Sequence, residues 1–206
     1  MNTEASNTQS RLPEDFLTPL TAEKAGIIEV RLGSSSPVPY VRGEKPFAWP
    51  SDRPVTALEY DSRQTGPGAL YFALPGLHVD GHDYIADAIK RGAAFIVHQK
   101  EPAAYSEGVL YIRVKDSRFA MSSIADAFYN FPSRRMGIIG VTGTEGKSTT
   151  VYLVYQLLKL LGKKTGFVST VQHGDGISEN WNSEHQTTPE ATAIHRLLEE
   201  MRVNGV

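Results

Sequence analysis

The chain has 206 residues, enough for one or two domains, and its 40% hydrophobic and 21% charged residues match an ordinary globular protein. A net charge of −2 gives no electrostatic case for nucleic acid, and the absence of cysteine excludes disulfides and thiol catalysis. No stretch approaches the roughly 18 consecutive apolar residues that a membrane helix needs.

In chain order, residues 1–15 read as a polar, disordered tail without the apolar core of a signal peptide. Phe16 to Ile28 reads as a short helix with Leu17, Leu20, Ala25 and Ile28 apolar. Residues 33–54, rich in proline and serine, read as loop and short extended pieces. Val55–Tyr60 alternates as a strand should, 61–68 is a turn region, and Ala69–Leu74 is a near-continuous apolar run of strand length. Tyr84–Arg91 has a helical face made by Ile85, Ala88 and Ile89, with Gly92 as a stop. Strands follow at Ala93–Val97 and Val109–Val114, then a helix over Ser117–Tyr129 with Met121, Ile124, Ala125 and Phe128 on one face. Phe131-Pro132-Ser133 breaks the pattern, and a domain boundary falls there. Alternating strands and helices before it indicate an α/β domain.

Beyond the boundary, Met136–Thr142 has the pattern of a buried strand, and Thr149–Leu161 that of an apolar-periodic helix. Between them stands Gly140-Val-Thr-Gly-Thr-Glu-Gly-Lys-Ser-Thr149. The strict phosphate-loop spacing would place glycine where Val141 stands, so this is the shorter form Gly143-x-x-Gly146-Lys147-Ser148. Strand, glycine loop and helix together aim backbone N–H groups and a helix N-terminus at phosphates. Lys147 would reach the β- and γ-phosphates, and the Ser148 hydroxyl would hold Mg²⁺. A strand at Gly166–Val171 would complete a βαβ unit. A polar excursion over 173–186 precedes a last helix, with Thr188 as its cap, Pro189 in the first position and Ile194, Leu197, Leu198 and Met201 as its apolar stripe. Two strands do not make a phosphate-loop sheet, so the chain is expected to be truncated after Val206.

Three stretches, taken in order, resemble the Mur ligase family, the ATP-dependent amino-acid ligases of peptidoglycan synthesis, and within it the MurE type. They are Tyr60-Asp-Ser-Arg63 with the segment from Gly66 to Ile85, the phosphate loop, and Thr187-Thr-Pro-Glu190. The resemblance covers roughly residues 36–206 and none of the three would suffice alone. It implies a uridine-nucleotide-binding α/β domain over 16–133 that takes UDP-MurNAc-dipeptide. It also implies the start, over 134–206, of an ATP-binding central α/β domain that remains incomplete here.

By the same resemblance Tyr60 and Ser62 contact the uridine diphosphate, and Leu77, His78 and Val79 align with the uracil-contacting loop. Gln186, Thr187 and Thr188 align with residues that meet the muramoyl substrate. Gly143, Thr144, Glu145, Gly146, Lys147, Ser148 and Thr149 bind ATP, with Lys147 catalytic and Ser148 on Mg²⁺. The family usually has asparagine at the position of Glu145; a carboxylate beside phosphates repels them unless it points to the ion or to solvent. The implied reaction is attack of a D-glutamyl carboxylate on the γ-phosphate, then capture of the acyl-phosphate by an incoming amine. The implied setting is a cytoplasmic monomer, with an amino acid as second substrate and neither nucleic acid nor membrane as partner. The family's remaining catalytic residues would lie beyond Val206, so the isolated chain is expected not to complete the ligation.

Blander readings stand beside these. Ser62 in an Asp-Ser-Arg turn is also a turn former. Asp80-Gly81-His82 reads as structural, and Trp49 and Trp181 as packing residues. His173, His185 and His195 have no metal-ligand spacing. A nucleotide-sugar-binding module without turnover, a MurF-type ligase and a phosphate-loop kinase remain as alternatives; the segment around Asp61 and Asp80 argues against the last.

Overall fold

The computed structural model describes residues 10–44, 47–76, 79–182 and 189–206, and the chain divides after Phe128 into two compact units. The first unit opens with two short helices, α1 (Pro13–Phe16) and α2 (Pro19–Ala25), and continues into a strand, β1 (Ile27–Leu32). The single helix expected over 16–28 is therefore wrong. The Thr18 hydroxyl accepts the Thr21 N–H and starts a new helix, and Gly26, at φ 66°, ends it in the left-handed conformation. Ile27 and Val30 are then free to face the core from an extended strand.

Next come β2 (Val38–Pro39), β3 (Leu58–Glu59), β4 (Leu70–Phe72), α3 (Ile85–Lys90), β5 (Phe95–His98), β6 (Leu110–Val114) and α4 (Ser117–Phe128). The six strands form one sheet in the order β2-β1-β6-β5-β4-β3. Strands β3, β4, β5 and β6 are parallel, while β1 runs antiparallel to β6 and β2 antiparallel to β1. Side chains alternate across the sheet. Tyr71, Ile96 and Tyr111 stand in register on the face covered by Ile85 and Ala88 of α3, with Tyr105 packed alongside. Met121, Ile124 and Ala125 of α4 are fully buried, and α4 packs against β4, α1 and α2. Arg11 reaches the C-terminus of α4, where its Nη1 donates to the carbonyls of Ala127 and Phe128 at 2.7 Å each. Those carbonyls have no partner within the helix, and a cation suits that end of its dipole.

In the second unit, α5 (Lys147–Leu160) is followed by β7 (Phe167–Val168), β8 (Gln172–Gly174), β9 (Glu179–Trp181) and α6 (Ala191–Val203). The three strands form an antiparallel meander, so the expected βαβ unit is absent from the described residues, and the supposed excursion over 173–186 holds most of a hairpin. Met136–Thr142 does not form the expected buried strand. Ile138 and Ile139 are exposed at 56% and 65%, and among the described residues no strand pairs with this segment. An apolar run of strand length folds as a central strand only where neighbours take up its backbone hydrogen bonds. Trp181 is 73% exposed on the edge strand β9 and is not a packing residue. The cap of α6 is Glu190, whose side chain makes no capping bond, whereas the expected cap Thr188 lies outside the described residues. Among the described residues no helix is long and apolar enough to cross a membrane.

Phe128 meets Phe16 edge-on at 5.1 Å and is 2% exposed. Phe128→Ala is expected to destabilise the first unit by about 3–5 kcal/mol. Urea denaturation read through the hydrogen exchange of the β4, β5 and β6 amides measures it.

Candidate functional site

The phosphate-loop motif forms the entry to α5. The helix begins two residues earlier than its apolar period suggests, at Lys147, with Gly146 as its cap at φ 75° and ψ 0°. That backbone conformation favours glycine, and a Cβ at Gly146 would meet nothing within 4 Å, so the glycine serves backbone geometry and leaves open space over the helix end. Thr150 N–H makes the first helical bond, to Gly146 O at 2.9 Å. The N–H groups of Lys147, Ser148 and Thr149 precede it and have no acceptor within the helix, which is the geometry that attracts an anion. The Lys147 ammonium folds back over the loop and donates to the carbonyls of Gly143 and Thr144, at 2.7 and 3.1 Å. Glu145, Gly143 and Thr144 are exposed, and Ser148 is half-buried in the first turn.

In the first unit, the motif residues gather where the parallel strands end. Asp61 follows β3 and caps a 3-10 turn over Ser62–Gln64 by accepting the Arg63 N–H at 3.0 Å. The Arg63 guanidinium binds the same carboxylate through Nε at 2.9 and 3.1 Å and Nη2 at 2.6 Å, and holds its pKa below the ordinary value. Ser62 is buried, close to the Asp87 carboxylate of α3. That carboxylate is also held low, first by Arg91 and then by Ser62. Tyr60 is half-buried beside this turn, and Val79 is exposed beyond β4. Leu77, His78, Gln186, Thr187 and Thr188 lie outside the described residues.

The same strand ends carry a group that sequence reading treated as structural. Asp80 caps a second 3-10 turn, Gly81–Tyr84, by accepting the His82 N–H at 3.0 Å. It also takes the His82 Nδ1–H at 2.6 Å and pairs with the Lys100 ammonium. Lys100, ahead of the other causes, holds the Asp80 carboxyl far below the usual carboxylate range. Gly81 sits against β4 so closely that a Cβ would come within 2.7 Å of Leu74 N. Tyr71 Oη donates to Gly81 O at 2.9 Å, and burial, followed by the charge of Asp61, pushes its pKa up to about 12, so it remains a donor. Burial pushes the His98 imidazole down, and its Nδ1–H donates to Lys100 O at 2.9 Å. Lys100 and Asp87 were not singled out from sequence; only the Asp-x-His spacing of Asp80 and His82 hinted at the group.

A carboxyl whose pKa is depressed by folding stabilises the fold above its unfolded value of 3.8 and loses that contribution as pH falls through the folded value. Asp80→Asn is therefore expected to lower the melting temperature at neutral pH and to flatten its decline in acid, measured by circular dichroism along a pH series.

Two Mur ligase profiles match the chain: the "Mur ligase family, catalytic domain" over residues 54–129 and the "Mur ligase middle domain" over residues 141–206. A UDP-N-acetylmuramyl-tripeptide synthetase of Treponema pallidum is 52% identical over 148 residues, covering 72% of this chain and 27% of that protein. One of Borreliella afzelii is 44% identical over 172 residues, covering 82% and 33%. A UDP-N-acetylmuramoyl-L-alanyl-D-glutamate–2,6-diaminopimelate ligase of Geobacillus thermodenitrificans is 42% identical over 152 residues, covering 74% and 30%. The chain thus spans about a third or less of the length of these relatives, at 27% to 33%. Among solved structures, a UDP-N-acetylmuramoyl-L-alanyl-D-glutamate–2,6-diaminopimelate ligase superposes with a TM-score of 0.56 at 19% identity over 81% of this chain and 32% of its own, which shows a shared fold. With profiles matched in both units and relatives at this identity, the chain belongs to the Mur ligase family.

Proposed function

We propose that this chain forms the substrate-binding and phosphate-loop portions of a MurE-type ligase, which uses ATP to add an amino acid to UDP-MurNAc-L-Ala-D-Glu. The observation that carries the reading is the 52% identity to a tripeptide synthetase, joined to a Gly-Lys-Ser helix entry with open space above it. The boundaries proposed for the two portions are residues 16–133 and 134–206; the folded chain starts earlier than that, since Arg11 and α1 lie in the tail expected to be disordered over 1–15, and the compact units divide after Phe128.

The residues present fit a nucleotide triphosphate. The first-turn N–H groups of α5 would bind its phosphates, and the Lys147 ammonium would exchange the carbonyls of Gly143 and Thr144 for phosphate oxygens. Ser148 would offer one hydroxyl oxygen to Mg²⁺, an ion that completes its shell with phosphates and water and needs few protein ligands. Bound ATP would supply the phosphoryl group that activates the substrate carboxylate; the chain's own contribution is positioning and charge neutralisation, with no protein nucleophile. The exposure of Glu145 supports a role for its backbone alone, with the carboxylate turned to solvent. In the first unit, Tyr60, Ser62 and Val79, together with Leu77 and His78, would hold the uridine diphosphate. That position is supported by the tendency of parallel α/β sheets to bind ligands at the carboxyl ends of their strands. Gln186, Thr187 and Thr188 would meet the muramoyl portion. We further propose a cytoplasmic setting and a monomeric state, and that these two portions, about a third or less of the relatives' length, do not complete ligation by themselves.

Calorimetric titration of the 206-residue chain with UDP-MurNAc-L-Ala-D-Glu is expected to show saturable binding, weakened about tenfold by Ser62→Ala through loss of the proposed hydroxyl contact to the ligand. A folded chain that fails to bind the sugar nucleotide overturns the substrate reading. Lys147→Ala is expected to reduce Mg²⁺–ATP affinity by at least about tenfold, the worth of a charge-assisted phosphate contact, while leaving sugar-nucleotide titration unchanged.

A further inference from the structure

His82 sits between two strand ends, and every polar atom of its ring has a specified partner. Its side chain is 7% exposed. Nδ1 is 2.6 Å from the Asp80 carboxylate, which can only accept, so Nδ1 carries the proton. Nε2 lies 3.2 Å from both Gln99 N and Lys100 N, two amides that can only donate, so Nε2 is the acceptor. The ring is thereby held as one tautomer and joins the turn after β4 to the residues that leave β5. Both ends are fastened further. Asp80 forms an isolated bridge with Pro75 and pairs with the Lys100 side chain, and Gln99 Oε1 accepts Ser117 N–H at 2.9 Å at the start of α4.

We propose that His82 is a positioning residue: as an Nδ1–H imidazole it clamps the turn that follows β4 onto the end of β5 and so pre-shapes the strand-end crevice that receives a nucleoside diphosphate. The ligand in this statement rests on the function proposed above; the clamp itself rests on the hydrogen bonds alone. His82 does not act as a base, because its one free lone pair is already shared between two amides.

The amide side chains of asparagine and glutamine separate the two halves of the clamp. Asparagine places a donor near the position of Nδ1 and keeps the Asp80 bond, but has nothing at the position of Nε2. Glutamine reaches that position with a carbonyl and keeps the acceptor for Gln99 and Lys100. In the 206-residue chain at about pH 8, above the ordinary imidazole range, the ¹⁵N spectrum is expected to show a protonated Nδ1 and an unprotonated Nε2 for His82. His82→Ala and His82→Asn are expected to speed hydrogen exchange at Gln99 and Lys100 and to weaken UDP binding about tenfold, as expected when buried amides lose their acceptor. His82→Gln is expected to preserve both. An Nε2–H tautomer, or equal UDP affinity and amide protection across all three variants, overturns the proposal. If the parent chain does not bind UDP, the nucleotide reading falls and the positioning role falls with it, while the ¹⁵N spectrum and amide exchange still decide the clamp.

Discussion

The parallel pairing of β3, β4, β5 and β6 is the constraint on which the first unit depends. Parallel strands bring all four carboxyl ends to one edge of the sheet, and whatever follows each strand must turn there. The turn after β3 carries Asp61, Ser62 and Arg63; the turn after β4 carries Asp80 and His82; the exit from β5 carries Gln99 and Lys100. Some partners are local, such as Asp61 with Arg63 and Asp80 with His82, but the pairing of Asp80 with Lys100 joins residues 20 apart in sequence. The sheet therefore makes the polar edge by topology, above the apolar packing of Tyr71, Ile96 and Tyr111.

At the edge itself, short polar side chains do the local work. Asp61 and Asp80 play the same part twice: each caps a 3-10 turn with its own carboxylate and anchors a cation, Arg63 in one case and Lys100 in the other. Exposed ion pairs of this kind contribute little to stability. Their consequence is geometric, because they specify the direction in which Ser62 and the backbone beyond β4 face. Ser62 stands in the first of these turns. It is buried, and it helps to hold the neighbouring Asp87 carboxyl low.

The second unit shows the reverse balance, in which a local motif is well formed and its surroundings are not. Gly146, Lys147 and Ser148 build a helix N-terminus from local backbone geometry. The apolar surface around it has few partners: Leu153, Leu157 and Leu160 of α5 are 63%, 56% and 85% exposed, and Ile138 and Ile139 before the loop are exposed as well. Local hydrogen bonding thus shapes the glycine loop and helix entry, whereas burial of the apolar segments that flank it depends on neighbours distant in sequence.

Sequence by itself determined what local chemistry controls. The glycine loop before α5, the strands from β4 to β6, α3 and α4 were legible because period-two and period-3.6 apolar patterns are strong there. The family was legible because three motifs occurred in order. Tertiary structure decided what depends on distant partners. It split the helix expected over 16–28, since Ile27–Leu32 gains more from antiparallel pairing with β6 than from continuing past Gly26. Among the described residues it left 136–142 without a strand partner, made β7 antiparallel where a βαβ unit was expected, and put Trp181 in solvent. It also joined Asp80, His82, Gln99 and Lys100 into one network. No periodicity could announce that network, because strand order, which local sequence does not encode, determines which strand ends are neighbours.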